Sequence, residues 1–263
     1  MKASSSASAD TASCSCNPTI PLNSGSTWDA SCRRERAEPV QYEIKSNPSY
    51  AVVEIALEKG ESIAADSGAM AWMDSTIRTR TTTRGGALMG LKRKLLSGES
   101  FFQNTYTAES GPGTIALAGG SAGGLVAYDM PDGELFLEKG AYLASQESIT
   151  CDAKWSGLRG FFNEGLFILR CTGSGTLFFD AYGDIQEIDV DGEYLIDNGH
   201  AVAWEPTLEY RLTKARRIRS FLFGDQILLL FSGRGKLWVQ SRSPQSLANW
   251  VHPFRRVQRK NNN

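Results

Sequence analysis

Few residues in this chain have the type and spacing for chemistry, and each has a competing structural explanation. Gly119-Gly120-Ser121-Ala122-Gly123 matches the Gly-x-Ser-x-Gly elbow that exposes a nucleophilic serine. Such an elbow joins a strand to a helix. Residues 114–118 read as a strand, but residues 125–128 read as another strand, so the segment is expected to be a loop. Ser121 within hydrogen-bond reach of His200 or His252 would reverse that expectation. The same glycines could cradle a phosphate on backbone N–H groups, but no helix follows to help them. Gly235-Lys236 suggests a phosphate-binding loop, yet Leu230 stands where the first glycine belongs and Leu237 where Ser or Thr belongs. His200 has no Cys or second His nearby in sequence and reads as a surface or interface histidine. Cys14, Cys16 and Cys32 offer three thiolates, whereas a closed zinc site needs four ligands and this segment holds no His. Cys151 and Cys171 flank apolar runs and read as small core residues. Asp189 and Asp191 share one strand face by the two-residue period, and beside a glycine they read as solvated. The sequence therefore assigns no catalytic residue, no cofactor-binding residue and no metal ligand. A non-enzymatic protein without a cofactor is expected.

The basic residues are a stronger signal. Arg78, Arg80 and Arg84 lead to Lys92-Arg93-Lys94 with no acid between them. Lys214, Arg216, Arg217 and Arg219 follow at a corresponding point, and Arg255, Arg256, Arg259 and Lys260 close the chain. Multiplied around an assembly, they could form a belt for RNA phosphates or anionic lipid. The competing reading is a solvated or subunit-bridging face. The net charge of −1 hides an uneven distribution. Residues 129–197 carry fourteen acids against four bases, while the chain from Tyr210 onward carries twelve bases and one acid, Asp225. Such asymmetry suits a subunit whose one end meets the opposite end of its neighbour.

The elements that must hold these residues repeat. Gly60-Glu61 leads to Gly68-Ala69-Met70, Gly133-Glu134 to Gly140-Ala141-Tyr142, and Gly192-Glu193 to Gly199-His200-Ala201. Gly113, Gly175 and Gly235 each close a Gly-x-Gly, 62 and then 60 residues apart. Self-similarity at a near-constant period dictates architecture before any single residue does. Short β-branched and apolar runs at 51–57, 101–107, 166–172, 207–213 and 227–232 indicate many strands. The Gly-Glu pairs are expected at hairpin tips, and each Gly-x-Gly just ahead of a strand. Residues 87–96 alone have helical character, and no helix is expected at either end. Residues 1–40, rich in Ser, Ala and Thr, read as a disordered tail. The single domain is expected at 41–252, in units 41–119, 120–181 and 182–252, followed by a basic tail at 253–263. No run approaches the roughly 18 apolar residues that span a bilayer. The odd count of five cysteines points to a reducing compartment. A cytoplasmic location is expected, with the mitochondrion as the alternative.

Gly60-Glu61-Ser62-Ile63-Ala64-Ala65-Asp66-Ser67-Gly68-Ala69-Met70-Ala71-Trp72-Met73, the run from Leu91 to Phe102, and Gly233-Arg234-Gly235-Lys236-Leu237-Trp238 together resemble the altered-inheritance-of-mitochondria protein 24 family. The resemblance spans roughly residues 41–250. It implies an all-β fold of three tandem units like those of the trp RNA-binding attenuation protein, short double-stranded β-helix or sandwich modules that assemble side by side. It further implies a trimer closing a ring of nine units. The family supplies no catalytic residues to carry over. The expected function is a ring-forming scaffold or binding protein, and the alternative is an RNA- or anion-binding ring.

Overall fold

The computed structural model describes residues 39–82, 103–153, 168–214 and 227–255. The expected N-terminal tail falls almost wholly outside these residues, as does the helical stretch at 87–96. The described chain is all-β with antiparallel strand pairing and one short helix. Its strands are β1 (Gln41–Lys45), β2 (Val52–Leu57), β3 (Ser62–Asp66), β4 (Met70–Met73), β5 (Ile77–Thr82), β6 (Gln103–Ala108) and β7 (Gly113–Ala118). They continue with β8 (Leu125–Glu138), β9 (Tyr142–Gln146), β10 (Thr150–Ala153), β11 (Ile168–Asp180) and β12 (Ile185–Asp197). The last are β13 (Ala201–Trp204), β14 (Leu208–Lys214) and β15 (Ile227–Gln240), followed by helix α1 (Pro244–Val251).

Short strands form where apolar residues alternate. In β2, Val53, Ile55 and Leu57 are buried while Val52, Glu54 and Ala56 are not, as the two-residue period requires. The long strands work differently. β8 pairs with β11 along its whole length, and β12 pairs with β15 in the same way. The first half of β11 also holds β10, and its second half holds β9. β15 likewise holds β14 and then β13. Nearer the N-terminus the corresponding lengths are broken: β2 pairs with β7 and β3 with β6, while β4 joins β7 and β5 joins β6.

Glycine allows one strand to serve both short partners. Gly133 lies opposite Gly173, and Gly192 opposite Gly233. Gly173 has φ +132° and Gly233 φ +126°, values that a side chain makes costly. The register slips between Gly173 and Gly175, which is a bulge, and a bulge bends its strand without ending it. This corrects two sequence expectations. The Gly-Glu pairs at 133 and 192 are mid-strand, not hairpin tips, and Gly175 and Gly235 lie inside strands rather than ahead of them. Glycine marks a turn and a bulge alike, so composition does not separate the two.

The buried side chains form three clusters. Val53, Ile55, Ile63, Ile115, Leu117 and Phe178 centre the first. Leu135, Leu137, Tyr142, Leu177, Phe179 and Trp238 centre the second. Phe136, Trp204, Leu229, Phe231 and Leu237 centre the third. Each full burial of such a side chain contributes about 1.5–3 kcal/mol.

Helix α1 also departs from expectation. Its Ser243 Oγ accepts a bond from the Ser246 N–H at 3.4 Å, and Pro244 occupies the first turn. Ser-Pro ahead of an apolar run was the helix-start signal. Leu247, Trp250 and Val251 on this helix are exposed.

Candidate functional site

Two internal joints and two open edges dominate the surface chemistry. At the first joint β9 lies between β11 and β3, with Ala64 opposite Ser145 and Ala65 opposite Ala144. A buried polar network fastens it. The Gln103 Nε2–H donates to the Tyr142 hydroxyl at 2.7 Å, and that hydroxyl donates to the Ala64 carbonyl at 3.3 Å. Ser145 Oγ stands 3.0 Å from the same hydroxyl. Burial holds the Tyr142 phenol well above its ordinary range, with nearby Cys151 adding to the effect, so it keeps its proton.

At the second joint β13 lies between β15 and β8, with Ala203 opposite Leu137 and Trp204 opposite Phe136. This joint is aromatic. The Trp204 ring centroid is 6.0 Å from that of Phe136, 5.2 Å from that of Tyr210 and 5.4 Å from that of Phe231.

Several strands lie at an edge, β1, β5, β10 and β14 among them; the two with the apolar exposure that matters here are β4 and β12. Among the described residues β4 pairs only with β7, and β12 only with β15. Both present apolar groups to solvent: Met70 is 40% exposed and Trp72 52%, Tyr194 39% and Leu195 51%. At the two joints, by contrast, Ala64, Phe136, Tyr142 and Trp204 are each no more than 5% exposed.

A cleft of about 400 Å³ adjoins the first joint, walled in part by Asp66, Glu138, Lys139, Tyr142 and Asp180. The cleft exists because two turns meet there. One is the turn after β3, and the other is a 3-10 turn at Lys139–Ala141 that Glu138 caps by accepting from the Gly140 N–H at 2.7 Å. Asp180 lies against Gly119, where a Cβ would overlap its carboxylate. Burial pushes the Asp180 carboxyl up to about 7, and the charges of Asp66 and Glu138 add to the rise. At the end of β15 the matching position is Gln240. Its amide donates to the Gly199 carbonyl at 2.8 Å and accepts from the Tyr182 N–H at 2.9 Å. The cleft thus offers one proton exchangeable near neutrality, while its neutral counterpart is a purely structural amide.

The residues singled out in the sequence fall elsewhere. Ser121 sits in a bend that leads into β8, not into a helix. Among the described residues no hydrogen bond links it to His200 or His252. His200 closes the 3-10 turn Asn198–His200, with Nδ1 2.7 Å from the Gln240 carbonyl. His252 lies in the short turn after α1. Cys151 and Cys171 face each other across β10 and β11 as buried free thiols. Their hydrogen bond and their burial hold the Cys171 thiol far above the usual range, which removes its nucleophilicity. Lys236 is ion-paired with Glu187 and lies 3.6 Å from Asp189, and Arg234 meets Asp191 at 2.7 Å. Among the described residues no group of three or more His, Cys, Asp or Glu side chains could hold a metal ion.

The basic segments are only partly described. Arg80 meets Glu109 at 2.9 Å, Arg170 meets Glu134 at 2.7 Å, and Arg211 lies 3.5 Å from Glu193. Arg84, Lys92, Arg93, Lys94, Arg216, Arg217, Arg219, Arg256, Arg259 and Lys260 lie outside the described residues. No helix among the described residues is long and apolar enough to cross a membrane. Sequence reasoning missed the open-edge residues Met70, Trp72, Tyr194 and Leu195, and it missed Asp180. Trp72 lies in the run from Gly60 to Met73 that carries the family resemblance, but nothing local marks it as part of an outer edge.

Comparison with known proteins agrees with this architecture. A family model described as mitochondrial biogenesis AIM24 matches residues 42–242. An uncharacterised protein of Streptococcus pyogenes serotype M6 is 30% identical over 226 residues, covering 82% of this chain and 91% of that protein. A crystal structure of a Streptococcus pyogenes protein from a structural genomics programme aligns with a TM-score of 0.70 at 30% identity. That alignment covers 82% of this chain and all of the other.

Proposed function

The chain belongs to the mitochondrial biogenesis AIM24 family, and on that premise we propose that it is a non-enzymatic scaffold or binding protein whose copies close into a ring. In this reading each chain is a row of three tandem units like those of the trp RNA-binding attenuation protein. The recurrence of pairings supports it. A long strand pair carries two short strands at β8/β11 with β9 and β10, and again at β12/β15 with β13 and β14. The broken pair β2–β3/β6–β7 carries β4 and β5 in the same places.

One observation carries the functional step: β4 and β12 each have a strand neighbour on one side only among the described residues, and they expose Trp72 and Leu195. Open strand edges with apolar side chains invite pairing. Unlike ends that meet head to tail form a heterologous contact, which closes into a ring when the rotation permits. The homo-oligomer favoured is a trimer. Negative-stain electron microscopy of the full chain tests this. Closed rings are expected, and compact two-fold dimers or single particles of one chain would overturn it.

Of the basic segments, Arg80 is ion-paired with Glu109, and that pairing favours a scaffold over a ring that binds RNA or anionic lipid. Anisotropy with a labelled single-stranded RNA separates the two readings. No binding at 150 mM salt is expected, and saturable binding would make the alternative the better account. A cytoplasmic location is inferred, with the mitochondrion as the alternative. The odd count of five cysteines supports a reducing compartment.

A further inference from the structure

The two internal joints obey one counting rule. Gly68, Gly140 and Gly199 mark the same turn in the three strand groups. Before each glycine stands a strand that can receive a neighbour: β3, the second half of β8, and the second half of β12. After each stands a strand that can be donated: β4, β9 and β13. At the first joint, the residue three before Gly68 lies opposite the residue four after Gly140, which is Ala65 with Ala144. At the second, the residue three before Gly140 lies opposite the residue four after Gly199, which is Leu137 with Ala203. The adjacent pairs follow, Ala64 with Ser145 and Phe136 with Trp204. Two receivers and two donors are thereby used. One receiver, β12, and one donor, β4, remain without their joint partner among the described residues, each paired on its other side only.

We propose that β4 of one protomer pairs antiparallel with the second half of β12 of another, in the register of the internal joints: Ile196 opposite Trp72 of the partner subunit, and Leu195 opposite Met73 of the partner subunit. The inference rests on the assembly reading above and specifies its contact. The occupant is a second copy of this chain, because the missing piece at β12 is a donor strand of this pattern and β4 is the one left over. Exposure fits the assignment. The receiver residues Ile63, Ala64 and Ala65, and Leu135, Phe136 and Leu137, are buried, whereas Tyr194 and Leu195 at the matching places of β12 are 39% and 51% exposed. The donor residues Tyr142 and Ala144, and Ala201 and Ala203, are buried, whereas Met70 and Trp72 are 40% and 52% exposed. Strand addition of this kind draws affinity from main-chain hydrogen bonds and specificity from side chains on alternate faces. The contact is heterologous, so each chain uses both of its edges once.

Single-edge variants test it. Leu195→Asp and Trp72→Asp each place a charge in one edge only, at a position exposed in the single chain, so folding is preserved and circular dichroism verifies that. In sedimentation velocity each variant alone is expected to run as one chain. An equimolar mixture is expected to run as two, because each variant keeps the edge that the other lacks. A folded pair that stays monomeric when mixed, while the unaltered chain assembles, would overturn this joint and leave the ring reading standing. An unaltered chain that stays monomeric would overturn both. Register is tested by Leu195→Cys combined with Met73→Cys, in a chain whose Cys14, Cys16 and Cys32 are replaced by Ser. Oxidation should link chains there, and efficient linking of Leu195→Cys to Ala71→Cys instead would overturn the register.

Discussion

The joint at β13 and the outer edge of β12 are built from similar strands and meet opposite fates. β8 offers Leu135, Phe136 and Leu137, and β13 covers them until none is more than 5% exposed. β12 offers Tyr194, Leu195 and Ile196 at the same distance from its glycine, and the first two remain open to solvent. Burial here is decided by the strand that lies alongside and not by the strand itself. An edge strand therefore differs from a covered one even where their sequences are alike.

The sharpest way to break this comparison is to empty the covered side. Trp204→Ala should cost about 3–5 kcal/mol in urea unfolding, because it removes the centre of an aromatic cluster with little room to collapse. Trp72→Ala on the open side should change the unfolding of the isolated chain by less than about 0.5 kcal/mol. Equal losses would mean that β4 is packed as firmly as β13.

A smaller effect separates Asp180 from Gln240. Folded, Asp180 holds its proton up to about pH 7, and unfolded it loses the proton near 3.8. The folded state binds the extra proton between those values. The stabilisation is complete below 3.8 and is lost as pH rises to about 7. Asp180→Asn should flatten this dependence and raise stability at pH 8 by about 2 kcal/mol relative to the unaltered chain, a fraction of what a three-unit shift allows. Parallel pH–stability curves for the two proteins would show that Asp180 is not the group responsible.

Tyr142→Phe probes the polar half of the contrast between the joints. It strips Gln103 and Ser145 of a shared partner and should cost about 1 kcal/mol by thermal or urea unfolding. No change would show that water replaces the hydroxyl at no cost. Smallest of all is Arg234→Ala. Its ion pair with Asp191 is largely exposed, and the change should lie within about 0–1 kcal/mol in the same assay.

Much of the fold was legible because strand formation is local. The alternation at Val53, Ile55 and Leu57 and the run from Ile227 declared their strands. The candidate site was not legible, because an edge is a relation between segments. Met-Ala-Trp-Met in β4 and Ala-Val-Ala-Trp in β13 are both short apolar strands, and only β8 alongside covers the second. Asp180 was hidden for the same reason: its burial comes from Gly119, some sixty residues away in sequence. Gly133 and Gly192 were misplaced because a bulge and a hairpin tip both call for glycine. The Ser243-Pro244 start of α1 was a local signal that the β-rich context obscured.

The central claim is that chains join end to end through the edges left open. Multi-angle light scattering of the full chain across micromolar concentrations tests it most directly. The account predicts a stable mass three times the 28.7 kDa of one chain, little changed by salt because the joint is strand pairing and apolar contact. A mass of 28.7 kDa that persists as concentration rises would contradict it.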